Sequence, residues 1–547
     1  MKSLQHSCTH QRFASQCPTF ANLLTCLLLL AMSAVTNNLH AQTYTDMHTF
    51  NCQTDGCGVQ YAGIVAQGRD GNLYGTLPAG GTGQSGIVYT ITPSGALHTI
   101  FNFSNLGTYG FGPSSGLTLG TDGNFYGATL TAGAHGYGTL FKITPAGVLT
   151  TLHDFTSAEI GFTYGPPVMG KNGTLYGATH YGKAWSITQS GQFRLLPNPT
   201  PGDSRAPLAA ASDGNLYGTT FNGGTGNGTV FQMSTAGKIK IIYEFDITHG
   251  AQPVGPVVQG SDGFLYGTAS SGGSKGNGVV FKLSLGGAIT VLHEFDINST
   301  TDGYKPYGGL VEAPDGNFYG TTVYGPTGVA IGVLFKITKT GTYTVLHEFD
   351  GATGAIPVTT QMQHTGGIIY GETSSSSPGA GVFYSLNAGM PPFVSLVGYP
   401  AASAGKSFGI LGQGLSGTTS VKFGSGSATF NVVSDTYMTV VVPTSGTTGT
   451  VTVTTPGGTL KSKQVFKVIP LLKSFNPTSG PVGTQVTING SGFTGASKVT
   501  FGGVKATTYT VDSGTQITAS VPAGAVTGKI AVTTTGGTAS KGTFVVN

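Results

Sequence analysis

A six-residue signature ending in Tyr-Gly recurs seven times between residues 70 and 371, and its spacing leaves the chain few architectures. It reads DGNLYG at 70–75, DGNFYG at 122–127, NGTLYG at 172–177, DGNLYG at 213–218, DGFLYG at 262–267, DGNFYG at 315–320 and GGIIYG at 366–371. The tyrosines Tyr74, Tyr126, Tyr176, Tyr217, Tyr266, Tyr319 and Tyr370 are 52, 50, 41, 49, 53 and 51 residues apart. A strand-rich period of about 40–50 residues is the pattern of propeller blades.

The copy at 307–350 shows how one unit is built. Gly309–Glu312 is the expected first strand, and Pro314-Asp315-Gly316-Asn317 supplies the side chains and permissive dihedrals of a tight turn. Asn317–Thr322, Gly332–Thr338 and Tyr343–Phe349 follow as the second, third and fourth strands, four antiparallel strands to a blade. The third strand recurs as GIVYTIT (86–92), GTLFKIT (138–144), GKAWSIT (182–188), GTVFQMS (228–234), GVVFKLS (278–284) and GVFYSL (381–386). The seventh copy never makes a fourth strand, whereas TYTDMHTF (43–50) matches TYTVLHEF (342–349) position for position. The N-terminal strand is therefore expected to finish the last blade and close a ring of seven. The third copy departs most: its loop after Tyr176 is short, Trp185 takes the Phe position, and the Pro-rich QFRLLPNPTP (192–201) predicts an irregular outer edge.

Composition bounds the rest. A chain of 547 residues needs several cores. Its 90 glycines fall at repeated positions beside spaced Val, Ile, Leu, Phe and Tyr, which argues for periodic turns rather than disorder. Residues 1–41 read as a secretory signal peptide: Lys2 and Arg12 precede the apolar run 21–34, and Ala41 offers a small residue for cleavage. That run is short for a retained membrane anchor. Without Lys2 and Arg12 the formal charge falls from +4 to +2, which leaves no basic footprint for nucleic acid. Cys8, Cys17 and Cys26 would leave with the leader, and Cys52 and Cys57 would pair as a disulfide in an oxidising compartment. No further ligand near that pair completes a zinc set.

Taken together, the DGN-x-YG, VFKIT and LHEFD elements over about 43–388 resemble the GloVer (Gloeobacter/Verrucomicrobia) tandem repeats of exported bacterial proteins. More distantly they are similar to NHL-type and virginiamycin-lyase-like propellers. The resemblance implies the propeller and names no activity. From about Met390 the period stops and Thr, Ser, Val and Gly dominate. NPTSGPVGTQVTINGSGF (476–493) is similar to IPT/TIG modules, which are immunoglobulin-like sandwiches, and 394–469 matches in part, with Ala404-Gly405-Lys406-Ser407 replacing the Val-Gly-Thr element. That resemblance implies a spacer or adhesion unit. The expected fold is thus all-β: a leader at 1–41, a seven-bladed propeller at 42–388, and sandwiches at 390–469 and 470–547.

Chemistry is sparse. One Asp-Gly-Asn per blade offers too few oxygens for calcium and reads as a turn. His48, His153, His293 and His347 recur at one position of the repeat, as expected of a repeated structural hydrogen bond. The stretches 80–86, 223–228 and 272–278 lack Gly-Lys-Ser/Thr and precede strands, so they are hairpin loops rather than phosphate loops. No catalytic residue, metal or cofactor is assigned. The inter-blade connections carry Tyr109 and Phe111, Phe162 and Tyr164, and Tyr304 and Tyr307, which could stack on sugars or pack on a partner. The acids look repeated rather than unique to one blade, which favours binding over catalysis. The expected protein is secreted, to the cell surface, the medium or the periplasm, without a membrane span in the mature chain. Its expected role is non-enzymatic adhesion or carbohydrate recognition, with an extracellular glycan or surface protein as partner. The alternative is a polysaccharide- or lactone-processing lyase or hydrolase with its site at the propeller mouth.

Overall fold

The computed structural model describes residues 42–59, 63–104, 109–113, 115–159, 161–326, 331–376 and 379–547; the expected leader and its three cysteines lie outside them. Among the described residues there is no helix, and none therefore long and apolar enough to cross a membrane. Seven four-stranded antiparallel sheets form the propeller blades. Blade 1 spans 66–104, blade 2 spans 118–154, blade 3 spans 168–195, blade 4 spans 209–244, blade 5 spans 258–294 and blade 6 spans 311–348. Blade 7 takes Met362–Gln363, Ile368–Glu372 and Val382–Asn387 from the end of the array and Thr43–Thr49 from its start. The innermost strands are pairs such as Val311–Glu312, shorter than the sequence suggests, because the glycines before them press backbone against the neighbouring connection (Gly309 against Pro256).

The borrowed strand is a full member of its blade. Thr43 lies opposite Asn387, Asp46 opposite Tyr384 and His48 opposite Phe383, with Met47 bulged out. The same one-residue bulge occurs in blade 6, where Leu334 faces His347 and Phe335 faces Val345. Side-chain packing follows the same ring order. Seven apolar clusters each span two adjacent blades, and the one joining blades 7 and 1 contains Phe50, Tyr370 and Phe383 beside Leu73, Ile87 and Tyr89.

Each letter of the signature has a physical task. In blade 1, Asp70 accepts hydrogen bonds from the Asn72 backbone N–H (3.2 Å), the Asn72 amide (2.7 Å) and the Tyr74 hydroxyl (2.8 Å). The Asp-to-Tyr bond repeats in blades 2, 4, 5 and 6 at 2.7, 2.9, 2.8 and 2.8 Å. In blade 3, Asn172 donates instead to Tyr176. The turn glycine has φ near +80°, as at Gly71 (+83°), which disfavours any side chain. The glycine after Tyr serves another end: Gly75 lies opposite Tyr89 and Gly320 opposite Phe335, and a Cβ there would strike the ring. The tyrosine rings then pack on the next blade, with Tyr74 on Phe125 at 4.1 Å and Tyr266 on Phe318 at 4.0 Å between centroids.

The LHEF histidines fasten the outer rim. His48, His153 and His293 meet Asp55, Glu159 and Asp302 at 3.0 Å, and His347 meets Thr353 at 3.3 Å. Three rings also stack on the next blade: His153 on Phe193 (3.6 Å), His293 on Tyr343 (4.0 Å) and His347 on Tyr44 (3.6 Å). Burial lowers the His347 pKa, opposed by Asp46 and Asp350.

The seam between blades 7 and 1 is specialised. Glu372 stands where other blades carry Thr or Ala, and Tyr89 where most carry Phe. The two are fully buried, and the Tyr89 hydroxyl donates to the Glu372 carboxyl. Burial pushes the Glu372 carboxyl up from 4.5 to about 7, against the hydrogen bond from Tyr89. Nearby, Gln361 donates to the Tyr384 hydroxyl (3.4 Å). Two more contacts cross the same seam: His364 meets the Gly71 carbonyl (2.9 Å), and Gln67 exchanges hydrogen bonds with Thr365 (2.8 and 3.0 Å).

Two sandwiches follow with identical sheet orders. Strands Ser395–Val397, Ser407–Leu411, Tyr437–Val441 and Thr429–Ser434 of the first match Leu471–Asn476, Gln485–Ser491, Gln516–Ser520 and Tyr509–Ser513 of the second. Their cores share an edge-to-face pair, Phe423–Phe466 and Phe501–Phe544. The first sandwich rests on the disc face that carries the signature turns. Thr436 donates to the Arg69 carbonyl (2.6 Å), Tyr399 to the Ala211 carbonyl (3.1 Å) and Gln413 to Thr365 (3.1 Å). Lys463 donates to the Glu312 carbonyl (2.9 Å) and to Gln363 (2.7 Å), and burial pulls its ammonium down to about 8 despite Glu312. The Arg69 guanidinium lies 4.4 Å over the Tyr437 ring.

Two expectations follow. A chain lacking residues 43–50 exposes the 382–387 edge and loses Phe50, so size-exclusion chromatography should show oligomers in place of a monomer. The Glu372 carboxyl binds its proton more tightly folded than unfolded. Its contribution is therefore complete below about pH 4.5 and declines up to about pH 7, by roughly 3 kcal/mol. Denaturant unfolding of wild type and Glu372→Gln at several pH values should show this decline in the difference between them, with the variant lacking it.

Candidate functional site

The opposite face of the disc carries the inter-blade connections and the loops between second and third strands. The hydrogen bonds from the first sandwich to Arg69, Ala211, Glu312, Gln363 and Thr365 reach the other face. Connection and loop are tied by a bond that repeats around the ring. The N–H groups of Leu130, His180, Phe221, Ser270, Val323 and Ser374 donate to the carbonyls of Gly112, Phe162, Asp203, Gln252, Lys305 and Ile356. Most of the accepting residues have positive φ, which Gly112 adopts without strain and Phe162 adopts at +37°. The Cys52–Cys57 disulfide lies on this face, where Cys57 pairs with Ala79.

The six aromatic residues singled out from the sequence fall in three separate sectors. Tyr109 is 40% exposed and meets Phe101 edge-on at 5.6 Å. Phe111 is half-buried and bridges through its backbone to Thr131. Tyr304 is buried and stacks on Tyr324 at 4.7 Å, while Tyr307 is half-buried against the core between blades 7 and 1. Phe162 and Tyr164 form part of a larger group.

That group sits over blade 3, where the loop between second and third strands shrinks to a turn. The Thr179 N–H donates to the Lys183 carbonyl (2.8 Å) and the Gly182 N–H to the Thr179 carbonyl (3.0 Å), which puts His180 and Tyr181 at the tip. Tyr181 is 60% exposed. Its ring meets His180 at 4.8 Å and Phe162 at 5.8 Å, and Tyr164 meets His180 at 5.3 Å, all near perpendicular. The next connection adds charge: Asp203 lies 2.5 Å from His180 Nδ1 and 2.7 Å from Arg205 Nε, and the Arg205 guanidinium covers Phe221 at 3.7 Å. An exposed aromatic ring beside fixed polar groups can take a sugar ring on its face and hydrogen-bond its rim.

His180, Tyr181, Asp203 and Arg205 escaped the sequence reading, although the shortened loop after Tyr176 marked their place. The expectation of repeated acids needs correcting too. Asp203 and Glu372 are each unique to one blade, and neither belongs to a recurring element such as LHEF. Among the described residues, no group of His, Cys, Asp and Glu is arranged to hold a metal ion.

Comparison with known proteins agrees with this architecture. The sequence model of the Gloeobacter/Verrucomicrobia repeat matches residues 34–199 and 182–384, and that of the IPT/TIG domain matches 470–546. No curated protein matches the chain. Among solved structures, virginiamycin B lyase from Staphylococcus aureus is 14% identical, covering 63% of this chain and 98% of its own, with a TM-score of 0.43. A gluconolactonase from Xanthomonas campestris is 14% identical over 50% of this chain and 85% of its own (TM-score 0.32). SGBP-B from a xyloglucan utilization locus in Bacteroides uniformis is 20% identical over 28% of this chain and 48% of its own (TM-score 0.16). With its repeat region matched from residue 34 to residue 384, the chain belongs to the Gloeobacter/Verrucomicrobia repeat family and ends in an IPT/TIG domain.

Proposed function

We propose that this protein is exported and non-enzymatic, and that it recognises carbohydrate through the loop face of its propeller. In this reading residues 1–41 are a cleaved leader, 42–388 the recognition disc, and 390–469 and 470–547 spacers that present it at the cell surface. The observation that carries it is Tyr181, 60% exposed and braced by Phe162 and His180 on the face opposite the docked first sandwich. Tyr109, Phe111, Phe162, Tyr164, Tyr304 and Tyr307 remain the candidate contacts from the connections. Phe162 and Tyr164 rank first, since Tyr304 has little ring area to offer. An extracellular glycan is the proposed partner, with a surface protein as the other.

A second reading, a lyase or hydrolase acting at this face, draws on the His180–Asp203 contact. The two readings separate on a glycan array of the purified protein followed by incubation with any glycan that binds. Binding without chain cleavage is expected. Tyr181→Ala should weaken it about tenfold, the scale of one stacking contact, while Tyr109→Ala tests the neighbouring sector. An array without signal, or signal indifferent to Tyr181→Ala, removes this assignment.

A further inference from the structure

We propose that His180 is the polar reader of the blade 3 subsite, accepting at Nε2 a hydrogen bond from a hydroxyl of a neutral pyranose seated against Tyr181. The inference deepens the carbohydrate reading and rests on it.

Backbone geometry comes first. His180 is held by the bond from its N–H to the Phe162 carbonyl (3.1 Å), a position filled by Leu130, Phe221, Ser270, Val323 and Ser374 in other blades. Only blade 3 places an imidazole there. Its ring is wedged between Tyr164 and Tyr181, both nearly perpendicular to it at 81°. Two aromatic neighbours therefore fix its orientation.

The proton position follows from Asp203. That carboxylate is 9% exposed, and its Oδ2 accepts from Arg205 Nε at 2.7 Å. Its backbone is pinned as well, the N–H donating to Asn222 Oδ1 (2.9 Å) and the carbonyl accepting from the Phe221 N–H (2.7 Å). Arg205 cannot swing away easily, because its guanidinium lies flat over Phe221. The remaining carboxylate oxygen, Oδ1, stands 2.5 Å from His180 Nδ1, close in distance but off the line of a hydrogen bond. An oxygen anion at that distance favours a ring hydrogen on Nδ1 over a bare lone pair by electrostatics, without the alignment of a hydrogen bond. In the neutral ring Nε2 then carries a lone pair. It has no hydrogen-bond partner among the described residues, and the side chain is 25% exposed.

An acceptor beside an exposed phenol ring selects hydroxyl donors attached to an apolar ring face, the chemistry of a pyranose. A carboxylated sugar suits the subsite less. The Arg205 charge is already balanced by Asp203, and Asp154 and Glu159 lie on the preceding strand end and connection.

The test titrates the full chain with cellohexaose, laminarihexaose, mannohexaose and hexagalacturonate by calorimetry. Expected is binding of at least one neutral hexaose, weakened tenfold or more by His180→Ala and partly restored by His180→Gln, whose amide reaches the Nε2 position. Thermal melts of the variants should stay near wild type, and the imidazole 15N shifts of ligand-free protein should report the Nδ1–H tautomer. Loss of binding in Tyr181→Ala with less than a twofold change in His180→Ala overturns this inference and leaves the carbohydrate reading standing. So does the Nε2–H tautomer, or a preference for hexagalacturonate. Failure of every sugar to bind overturns both.

Discussion

Seven residues at the start of the described chain, Thr43–Thr49, pair with Val382–Asn387 near the end of the repeats, and the whole disc depends on that ladder. Every other blade is continuous in sequence and could form locally. This one cannot form until about 340 residues have been placed, so its closure entropy must be met late and by non-covalent contacts alone. The stabilising terms concentrate there accordingly. Phe50 is buried in the joint core, Tyr44 stacks on His347 and donates to the Thr353 carbonyl of the preceding connection, and the Glu372–Tyr89 pair spans the joint. A buried carboxyl is a poor source of net stability, but it discriminates: a slipped register would strand it without the phenol.

Repetition solves a different problem, that of setting seven sheets at a constant angle around an axis. A Tyr hydroxyl on Asp within one turn fixes where the ring of that Tyr points, and the ring then meets the following blade. The same Asp–Tyr contact thus defines both the local turn and the inter-blade wedge. The glycine after Tyr admits the third-strand aromatic into the space a side chain would occupy, so each blade stays thin enough for seven to fit.

What could be read from the sequence was what repeats. The period, the absent fourth strand of the last copy and the matching segment at 43–50 gave the closed ring, because each is a comparison of the chain with itself. The sandwiches were equally visible, through turn chemistry and strand alternation. Pairings between single residues far apart were not. Glu372 and Tyr89 are 283 positions apart, and each alone reads as a conservative deviation. His180, Asp203 and Phe162 come from three different segments that only the disc brings together. Burial separates the aromatic positions of this face: Tyr304 is enclosed where Tyr181, on a shortened loop, is open. The docking of the first sandwich on the signature turns was also beyond the sequence, since Arg69, Tyr399 and Lys463 belong to no motif.

A ring of equivalent blades has no reason to place a ligand at one sector rather than another, so a single site requires broken symmetry. Among the described residues, two sectors break it with unusual charged groups. At the joint of blades 7 and 1 the unusual groups are sealed: Glu372 is buried, and the space beside it, lined also by Thr76, Ile64 and Gly116, holds only about 10 Å³. Nothing larger than a water molecule fits there, which makes that deviation a matter of closure. Over blade 3 the unusual groups are open, with an exposed phenol, an imidazole edge and a balanced carboxylate–guanidinium pair within contact of one another. The outer strand of that blade, only Phe193–Leu195 and followed by Pro197, Pro199 and Pro201, fits a sector released from the consensus. Since the first sandwich occupies the turn face, the sector that departs from the repeat and carries the exposed Tyr181 lies on the other face, where the contact proposed above would form.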